Sequence, residues 1–326
     1  MRVLVTGGAG YVGSTTAERL IDAGHDVAVY DSLVRGHRAA VPPRATLVVG
    51  DIGDGATFEQ ALRDHHIDAV LHCAGLALVG ESVAEPDRYF DVNVVSGPKM
   101  LDAMRAAGVK RICFSSSAAV YGVPLQTPIE EDHPLRPMNP YGETKRAFEG
   151  MLDWYSQAYG IGAVSLRYFN VAGATPERGE DHRPETHLIP NILAAFTGGP
   201  PLKVFGTDYP TKDGTCVRDY IHVDDLANAH AKALALTLEA SGKHVVCNLG
   251  SGSGFSVLDV LEAARSVVGS EAPHEIAGRR AGDPPVLVAS NTRAREVLGW
   301  EPRHGTLREM IGSAWAWRQR NPEGYE

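Results

Sequence analysis

A tyrosine and a lysine four positions apart give the sequence its clearest chemical signal. Tyr141 and Lys145 lie in the run YGETK, and on a helix a spacing of four puts two side chains one turn apart on the same face. A phenol alone is a poor base because its ordinary pKa is about 10, but a neighbouring ammonium favours the phenolate. The pair predicts a tyrosine base assisted by Lys145. An isolated pair of this kind is more typical of a surface tyrosine and a solvated lysine, so its context decides between the two interpretations.

A glycine-rich run near the start of the chain predicts a binding site for the phosphates of a dinucleotide. Gly7, Gly10 and Gly13 follow an apolar, β-branched run at residues 2–6 and precede a helical pattern that reaches Gly24. Between a strand and a helix, glycines permit a tight turn and let the backbone approach a pyrophosphate. The helix N-terminus adds unpaired amides and the positive end of the helix dipole. The run therefore favours a pyrophosphate-containing cofactor.

Residues that follow the next two predicted strands indicate which dinucleotide is bound. Asp31 ends the strand predicted at residues 27–30, and Asp51 and Ile52 follow the strand predicted at residues 46–49. A carboxylate at the position of Asp31 accepts hydrogen bonds from a ribose diol and repels a 2′-phosphate. We therefore expect NAD rather than NADP, with Asp51 and Ile52 meeting the adenine.

Strands and helices alternate through the first half of the chain, and they must position these residues. The helix predicted at residues 141–159 carries Tyr141 and Lys145. Apolar runs predict strands at residues 2–6, 27–30, 46–49, 69–72, 111–114 and 163–169. This alternation predicts an α/β fold with a Rossmann-type doubly wound parallel sheet.

After residue 170 the alternation loosens, and a second, smaller lobe is expected. We expect residues 1–170 to form the NAD-binding domain, residues 217–249 to return to it, and residues 171–326 to supply a discontinuous mixed α/β lobe for the substrate. Further helices are predicted at residues 188–196, 223–238, 256–268, 291–298 and 306–318, the last three with caps at Ser256, Asn291 and Thr306.

Composition excludes several classes of protein. The 326 residues carry a formal net charge of -9 without a basic block, which argues against nucleic acid as the main partner. No apolar run has the length of a membrane span, and Met1 leads directly into a predicted strand, so we expect a cytoplasmic protein with no membrane partner. Cys113 and Cys247 lie in apolar runs, which predicts buried free thiols rather than disulfides.

Together the motifs resemble the extended short-chain dehydrogenase/reductase family. The resemblance rests on TGGAGYVG at residues 6–13, a serine after a predicted strand, and YGETK at residues 141–145. Four further motifs resemble the UDP-glucose 4-epimerase branch of that family, so that the resemblance covers essentially the whole chain. They are SSSAAVYG at residues 115–122, RYFNVAGA at residues 167–174, DGTCVRDYIHVDDLA at residues 213–227 and RRAGD at residues 279–283.

The resemblance implies a reversible 4-epimerisation of UDP-galactose and UDP-glucose through a 4-keto intermediate, with tightly bound NAD. Tyr141 would take the proton of the C4 hydroxyl, Ser117 would hydrogen-bond the same oxygen, and Lys145 would bind the nicotinamide ribose and hold the tyrosine pKa down. Related dehydratases carry two carboxylates after the active-site serine or threonine, where this chain has Ala118 and Ala119. Without those proton carriers, epimerisation is expected rather than dehydration.

The same resemblance implies a set of binding residues. Arg218, Arg280 and Asn170 would contact the diphosphate, and Asp283 the uridine ribose. The cofactor would be held by Gly7, Gly10, Tyr11, Val12, Gly13, Asp31, Asp51, Ile52, Ala74, Gly75, Asn93, Tyr141, Lys145 and Tyr168. The substrate would be held by Ser117, Phe169, Asn170, His187, Leu188, Phe205, Arg218, Arg280, Asp283 and Leu287.

Two positions depart from what is common in that branch. Ala77 stands where a lysine is frequent, which removes a charge near the nicotinamide. Leu287 stands where some members have a bulky tyrosine and others a small residue, so UDP-N-acetylglucosamine is expected to be a poor but detectable substrate. His72, His187 and His222 show no spacing of a metal-ligand set, so no metal is expected. His187 takes a position that is often asparagine and is expected to serve a uridine-side contact.

Alternatives remain open at this stage. The chain could be a 4-epimerase of another UDP-sugar, namely a UDP-N-acetylhexosamine, UDP-glucuronate or a UDP-pentose. It could also be a non-catalytic dinucleotide-sensing protein, although Ser117, Tyr141 and Lys145 are all present. The helical stretches at residues 100–107 and 151–159 correspond to the family's two-helix dimer interface, which implies a homodimer.

Overall fold

A computed structural model describes residues 1–280 and 283–326 and confirms the predicted Rossmann-type sheet. The strands are β1 (Arg2–Thr6), β2 (Asp26–Asp31), β3 (Thr46–Val49), β4 (Ala69–His72), β5 (Arg111–Ser117), β6 (Gly162–Tyr168), β7 (Asn170–Ala172), β8 (Leu202–Phe205), β9 (Val217–His222), β10 (His244–Leu249), β11 (Gly254–Ser256), β12 (His274–Ala277) and β13 (Val286–Leu287).

The helices are α1 (Tyr11–Asp22), α2 (Gly55–Asp64), α3 (Val79–Ala84), α4 (Pro86–Phe90), α5 (Ser96–Ala106), α6 (Pro140–Tyr159), α7 (Leu188–Phe196), α8 (Val223–Leu236), α9 (Val257–Val268), α10 (Thr292–Leu298) and α11 (Leu307–Arg320). Helix α1 and helices α6 to α11 fall where the sequence predicts them. A π-helical turn, Asp91–Val95, lies between α4 and α5.

Seven parallel strands form the central sheet in the order β10-β6-β5-β4-β1-β2-β3. Its central strands are apolar on both faces, as a sheet covered by helices on both sides requires. Val3 and Val5 of β1 face a core shared with α1, α8 and α10. Leu4 faces the opposite core, shared with α2, α5 and α6. All three side chains are inaccessible to solvent, and each such burial stabilises the fold by about 1.5–3 kcal/mol.

The strand order reverses at β1, and this reversal places a crevice at the carboxyl edge of the sheet. From β1 the chain moves outward to β2 and β3, then returns to β4 on the other side of β1. Ligands of open α/β sheets bind in the crevice at such a point. The residues that follow β1, β4 and β5 meet there, which brings the glycine-rich run and Ser117 to the same edge.

A second group of elements lies after residue 170. Strand β9 pairs with β7, β11 and β13, while β8 pairs with β12. Helices α7, α9 and α11 share an apolar core with these strands. The expected return of residues 217–249 needs a correction, because β9 belongs to this smaller sheet and only α8 and β10 join the large one. Trp300 and α10 also pack on the large sheet, so the chain crosses between the two groups more often than predicted.

Caps fix the ends of the helices that matter for the site. The Asn139 side chain accepts a hydrogen bond from the Gly142 amide at 2.8 Å, and Pro140 occupies the first turn, so α6 begins just before Tyr141. The predicted caps Ser256 and Thr306 are confirmed as capping boxes. The prediction for Asn291 is wrong, since its amide instead bonds the main chain of Gly250.

Two further expectations concern the cysteines and membrane-spanning helices. Cys113 and Cys247 are buried and unpaired, which confirms the predicted free thiols. Within the described residues, no helix is both long and apolar enough to span a bilayer.

Candidate active site

The glycine-rich turn after β1 is built so tightly that two of its glycines cannot be replaced. A Cβ on Gly13 would lie 2.2 Å from the Gly7 carbonyl oxygen, and a Cβ on Gly7 would lie 2.6 Å from the Ala74 amide nitrogen. Gly7 also has φ of +68°, a conformation that other residues rarely adopt. A Cβ on Gly10 would meet only the Gly7 oxygen within 4 Å, at 3.3 Å. The turn therefore packs against the β4 loop and leaves an open face at Gly10.

The backbone amides in the first turn of α1 are not hydrogen-bonded by a capping side chain. No side chain caps this helix, and its first turn carries no carboxylate. Tyr11 opens the helix, and its hydroxyl donates to the Gly173 carbonyl at 2.5 Å, which ties the turn to the segment after β7. Val12 packs on the core beneath. An anionic group over Gly10 would meet unpaired amides and the positive helix dipole.

Asp31 lies at the edge of this turn and is buried. One of its carboxylate oxygens accepts the Ala9 amide at 2.9 Å, and the other accepts the Leu33 amide at 2.8 Å. Each oxygen keeps a further lone pair that can accept from a ribose hydroxyl. The same carboxylate thus shapes the turn and offers acceptors to a ligand.

The two residues expected near the adenine differ in exposure. Asp51 is exposed, and its carboxylate accepts the Gly53 amide at 2.7 Å. The Ile52 side chain is buried in the core below Tyr30 and Phe58, so little of it is left for a ligand to contact.

Ser117, Tyr141 and Lys145 converge at the carboxyl end of β5. Ser117 ends that strand, where its hydroxyl oxygen accepts the Ala119 amide at 3.1 Å and lies close enough to Tyr141 to lower the pKa of the phenol. Tyr141 and Lys145 lie one turn apart on α6, and both are buried. The Lys145 ammonium donates to the Ser115 carbonyl at 2.9 Å. The spacing of four residues therefore does place phenol and ammonium on the same face, beside the serine.

Burial sets the resting charge states of this pair. It raises the pKa of Tyr141 above 10, while the hydrogen bond with Ser117 works against that rise. Burial lowers the pKa of Lys145 to about 8, against the opposing charges of Cys73 and Glu149. The ammonium lies 5.7 Å from the centre of the Tyr141 ring and points to the Ser115 carbonyl. Ser117 is thus a group that lowers the tyrosine pKa, and the effect of Lys145 on that pKa stays a prediction.

A loop after β4 completes the cofactor side of the site. Asn93 holds this loop, since its amide accepts from the Leu76 nitrogen at 2.8 Å and donates to the Leu76 oxygen at 2.9 Å. It also donates to the Thr144 hydroxyl at 3.1 Å. A Cβ on Gly75 would lie 3.0 Å from the Asn93 oxygen and 3.9 Å from the Lys145 nitrogen. Asn93 thus acts on the site by fixing the loop beside α6, and both of its donor hydrogens are used within the protein.

Tyr168 lies next to Ser117. It pairs with Ser117 in the register of β5 and β6. Burial raises the pKa of its phenol well above the ordinary value, the more so with Tyr141 nearby, against a hydrogen bond with Ser115. Tyr168 therefore stays neutral and forms a wall of the site rather than a second base.

A buried polar network that sequence reasoning missed supports these residues from below. Arg167 makes an ion pair with Glu149 at 2.7 Å, both side chains being about 95% inaccessible. Glu149 also accepts from the Ser116 hydroxyl at 2.6 Å, and Arg167 donates to the Tyr121 oxygen at 2.9 Å. The network joins β5, α6 and β6, so it fixes the position of Tyr141 relative to its neighbours. The motifs SSSAAVYG and RYFN contain Ser116, Tyr121 and Arg167 and were a usable signal.

On the opposite side of the site, charged residues of the second group of elements come together. Arg218 on β9 forms an ion pair with Asp283 and donates to the Val217 carbonyl at 2.8 Å. The guanidinium of Arg280 lies 4.0 Å from the centre of the Phe205 ring. Guanidinium groups fit phosphate oxygens, and a ring stacked beneath one offers a flat surface to a base.

Leu287 links this charged side to the catalytic strand. It pairs with Arg218 in the register of β13 and β9. It also packs on the cluster that contains Ala118 and Phe169. Ala118 follows Ser117 directly, so Leu287 lies between the serine end and the arginine end of the crevice. The Phe169 ring is buried in that cluster, and Asn170 hydrogen-bonds Tyr220 across the β7–β9 pair.

Leu188 and His187 open helix α7, and His187 differs from its expected use. Leu188 packs on the core of the second group of elements. The Nδ1 atom of His187 faces Glu180 at 2.7 Å and Glu185 at 3.0 Å. The expectation that no metal is bound rested on the spacing of the histidines alone, and it stays a prediction. In the described part of the chain, Glu180, His182, Glu185 and His187 bring their ligand atoms within 4.8 Å of one another.

The residues at the glycine-rich turn fit NAD. Gly10 leaves the backbone face clear, the first turn of α1 is uncapped, and Asp31 offers lone pairs at the position of an adenosine ribose. At the other end, Gly75, Lys145 and Tyr168 surround the place where a nicotinamide riboside would meet the catalytic residues. The donor set thus suits each part of the dinucleotide.

Comparisons with known proteins agree with this site. The chain matches the NAD dependent epimerase/dehydratase family over residues 3–250. It is 50% identical to the curated UDP-glucose 4-epimerase of Lactobacillus helveticus, over 100% of this chain and 99% of that protein. A crystal structure of a UDP-glucose 4-epimerase is 45% identical, with a TM-score of 0.96 and 100% of both chains covered. The Bifidobacterium longum UDP-glucose 4-epimerase, solved with NAD+ and UDP, is 38% identical, with a TM-score of 0.93 over 99% of this chain and 100% of that one.

Proposed function

This chain belongs to the NAD dependent epimerase/dehydratase family, and we propose that it interconverts UDP-galactose and UDP-glucose at C4, with NAD bound tightly throughout. The observation that carries the proposal is the convergence of Ser117, Tyr141 and Lys145 beside an uncapped, glycine-lined helix N-terminus. Ala118 and Ala119 leave no carboxylate next to Ser117. A dehydratase needs an acid and a base there, whereas an epimerase needs only the reversible transfer of one hydroxyl proton.

The chain's own residues account for the proton chemistry. NAD, when bound, supplies reversible hydride transfer, the part of the reaction that side chains cannot perform. Tyr141 accepts the proton of the C4 hydroxyl, and Ser117 holds the same oxygen by a hydrogen bond. Lys145 is positioned by the Ser115 carbonyl, and its positive charge offsets the negative charge that develops on Tyr141. When the 4-keto sugar has turned over in the site, Tyr141 returns the proton to the C4 oxygen, which restores the hydroxyl with the configuration at C4 inverted.

This reaction needs an uneven grip on the substrate. We assign the firm grip to Arg218, Arg280 and Asp283, which would hold the diphosphate and ribose, and to Phe205, which would contact the uracil. The sugar end is lined by Leu287 and by Ala118, whose apolar side chains cannot hold hydroxyls in one orientation. A sugar so held can rotate while the nucleotide stays fixed.

The direct test of the proposed function is an incubation of the purified protein with UDP-galactose and no added cofactor, followed by chromatography. We expect UDP-glucose to appear without net formation of NADH. Failure to convert UDP-galactose even when NAD is supplied would contradict the proposal.

A second substrate is favoured by one residue, Leu287. Its side chain packs beside Ala118, so its size limits the room for a substituent on the sugar. We therefore expect UDP-N-acetylglucosamine to be turned over slowly, and Leu287→Ala to raise its rate relative to UDP-glucose by about tenfold, the effect of a few methylenes in an apolar pocket. Equal rates for both sugars in the unchanged protein would contradict this assignment.

The domain division and the oligomeric state complete the proposal. We assign NAD binding to residues 1–170 with α8 and β10, and substrate binding to the remaining segments.

We also propose a homodimer through α5 and the end of α6. Trp154 near the end of α6 is 72% exposed, so a large apolar side chain is available there to contact a second chain. Light scattering should show a dimer, and Trp154→Glu should dissociate it.

A further inference from the structure

Four side chains with metal-binding atoms converge on the segment between β7 and α7. This His–Glu cluster consists of Glu180, His182, Glu185 and His187, whose ligand atoms all lie within 4.8 Å of one another. The Nδ1 atom of His187 is 2.7 Å from a Glu180 oxygen and 3.0 Å from a Glu185 oxygen. The Nδ1 atom of His182 is 3.0 Å from Glu180 and 3.8 Å from Glu185. Both imidazoles therefore turn the same nitrogen to the same pair of carboxylates.

The His–Glu cluster is enclosed on its acidic side. Only 7% of the Glu180 side chain and 20% of the Glu185 side chain are exposed, against 32% for His182 and 43% for His187. In the described residues neither carboxylate pairs with a lysine or an arginine, and their ion-pair partners are the two histidines alone. Two carboxylates this deeply buried need positive charge within the cluster.

Two sources can supply that charge, namely a proton on each histidine or one divalent cation. Both carboxylates face the same two Nδ1 atoms, at 2.7, 3.0, 3.0 and 3.8 Å. The cluster thus places two carboxylates around two nitrogen ligands, and one doubly charged ion there would balance both negative charges.

We propose that the His–Glu cluster binds one divalent transition-metal ion, with Zn²⁺ as the preferred ion. Imidazole nitrogen and carboxylate oxygen are ligands that Zn²⁺ takes at about 2.0–2.2 Å in tetrahedral sites. Ligand atoms of such a tetrahedron are about 3.4 Å apart, which follows from those bond lengths. The four nitrogen–oxygen separations, 2.7, 3.0, 3.0 and 3.8 Å, lie on both sides of that value, so small side-chain rotations suffice. Four protein ligands leave no open position, which makes the site structural rather than catalytic.

The position of the His–Glu cluster indicates what a bound ion would stabilise. His187 immediately precedes α7, and the His182 ring meets the Tyr11 ring edge-on at 6.3 Å. Tyr11 opens helix α1 at the glycine-rich turn and holds the Gly173 carbonyl. An ion in the cluster would therefore fix the start of α7 and support the cofactor turn at the same time. His187 would then serve the metal and not the uridine.

The test uses the full chain with its bound cofactor and the metal alone as the probe. The protein is treated with a chelator, desalted, incubated with a small excess of Zn²⁺ and desalted again, and the retained metal is measured by mass spectrometry. We expect one ion per chain. A Glu180→Gln, His182→Gln double variant should retain less than a tenth of that amount, whereas His274→Gln, which removes an exposed histidine outside the cluster, should retain one ion.

A second measurement needs no variant. Co²⁺ in place of Zn²⁺ should give the intense visible absorption of a tetrahedral site in the unchanged protein. Retention of no metal after desalting, or a Co²⁺ spectrum of the hexa-aqua ion, would overturn the proposal. Equal retention by the double variant and the unchanged protein would also overturn it, because the ion would then lie elsewhere.

Discussion

In the proposed proton transfer, Tyr141 starts as a neutral phenol, and Lys145 is an ammonium whose pKa is lowered by burial. Burial moves their pKa values in opposite senses, upward for the phenol and downward to about 8 for the ammonium. At neutral pH the resting pair is therefore a phenol beside a largely charged lysine. Proton removal from the substrate requires the phenolate, so the positive charge at Lys145 matters most when Tyr141 has lost its proton.

The first residue-scale prediction removes the phenolic hydroxyl. Tyr141→Phe should lower kcat by about 10²–10⁴-fold, the usual contribution of a positioned acid or base, and leave the bound NAD content unchanged. Tyr155→Phe is the matched control, because Tyr155 lies on the same helix with its hydroxyl at the surface near Asp102. Steady-state rates with UDP-galactose measure the effect. Activity of Tyr141→Phe within a factor of three of the control would remove Tyr141 from its role.

The second residue-scale prediction concerns pH. Since the pKa of Tyr141 lies above 10, the phenolate fraction grows tenfold per pH unit below that value. The Lys145 ammonium is fully present below about pH 7 and is lost as the pH rises through about 8. The rate should therefore rise up to about pH 8 and then level off, because each gain in phenolate is offset by a loss of ammonium. A rate that keeps rising tenfold per unit between pH 8.5 and 9.5 would show that the ammonium is not needed.

At the scale of elements, the glycine-rich turn and the buried ion pair do different things for the site. The turn provides a surface that only glycine can form, since a Cβ on Gly13 would overlap the Gly7 carbonyl. The pair of Arg167 and Glu149 instead fixes three elements in one arrangement. An intact buried ion pair contributes little to the net stability of a protein. Removal of one partner is costly, because the other charge is then buried without a counter-charge.

A pair of glycine substitutions tests the turn. Gly13→Ala should destabilise the protein and lose most of its bound NAD, because a Cβ at 2.2 Å from a carbonyl oxygen cannot be accommodated. Gly150→Ala is the control, since a Cβ there meets nothing within 4 Å. Because glycine is unfavourable within a helix, this substitution should raise the free energy of unfolding by about 0.5–1 kcal/mol. Cofactor content and thermal unfolding of both variants give the answer. Retention of NAD by Gly13→Ala would contradict the close packing described.

A pair of glutamate substitutions tests the network. Glu149→Gln should lower the free energy of unfolding by about 3–5 kcal/mol, because it leaves a buried guanidinium without its counter-charge. Glu143→Gln breaks an exposed pair with Arg146 on the same helix and should cost less than about 1 kcal/mol. Urea unfolding measures both. Equal effects of the two substitutions would mean that the buried pair does not hold the elements together.

The residues of the site show which part of it could be predicted from sequence. Tyr141, Lys145 and the glycines follow from local rules, namely helix periodicity and strand–turn–helix order, whereas Ser117 was assigned only through the resemblance to the family. The orientation of the Lys145 ammonium towards the Ser115 carbonyl does not follow, because it depends on a strand thirty residues away. The His–Glu cluster was not predicted for the opposite reason. Its ligands are close in sequence, but they are of two residue types, and only the spacing of the histidines was considered.

At the scale of the whole molecule, the chain crosses repeatedly between the large sheet and the second group of elements. Strand β9 joins the smaller sheet, while α8 directly after it and β10 return to the large one. The strand–helix alternation predicted the large sheet well, because each strand there contains a short apolar run. It could not assign β9 to a sheet, because a short strand of mixed polar and apolar residues is compatible with either one. The crossings place Arg218 and Leu287 opposite Ser117, which is the arrangement that the proposed reaction requires.

The central claim is that hydride leaves C4 and returns to C4 within one closed site, and a labelled substrate tests it most directly. UDP-galactose carrying deuterium at C4 is incubated with the protein in ordinary water, and the UDP-glucose formed is analysed by mass spectrometry and NMR. We expect the product to keep its deuterium at C4, because NAD held in the site would take up the hydride and return it without exchange with solvent. Loss of the deuterium to water would contradict it, since the C4 proton would then have been exchanged by acid–base chemistry alone.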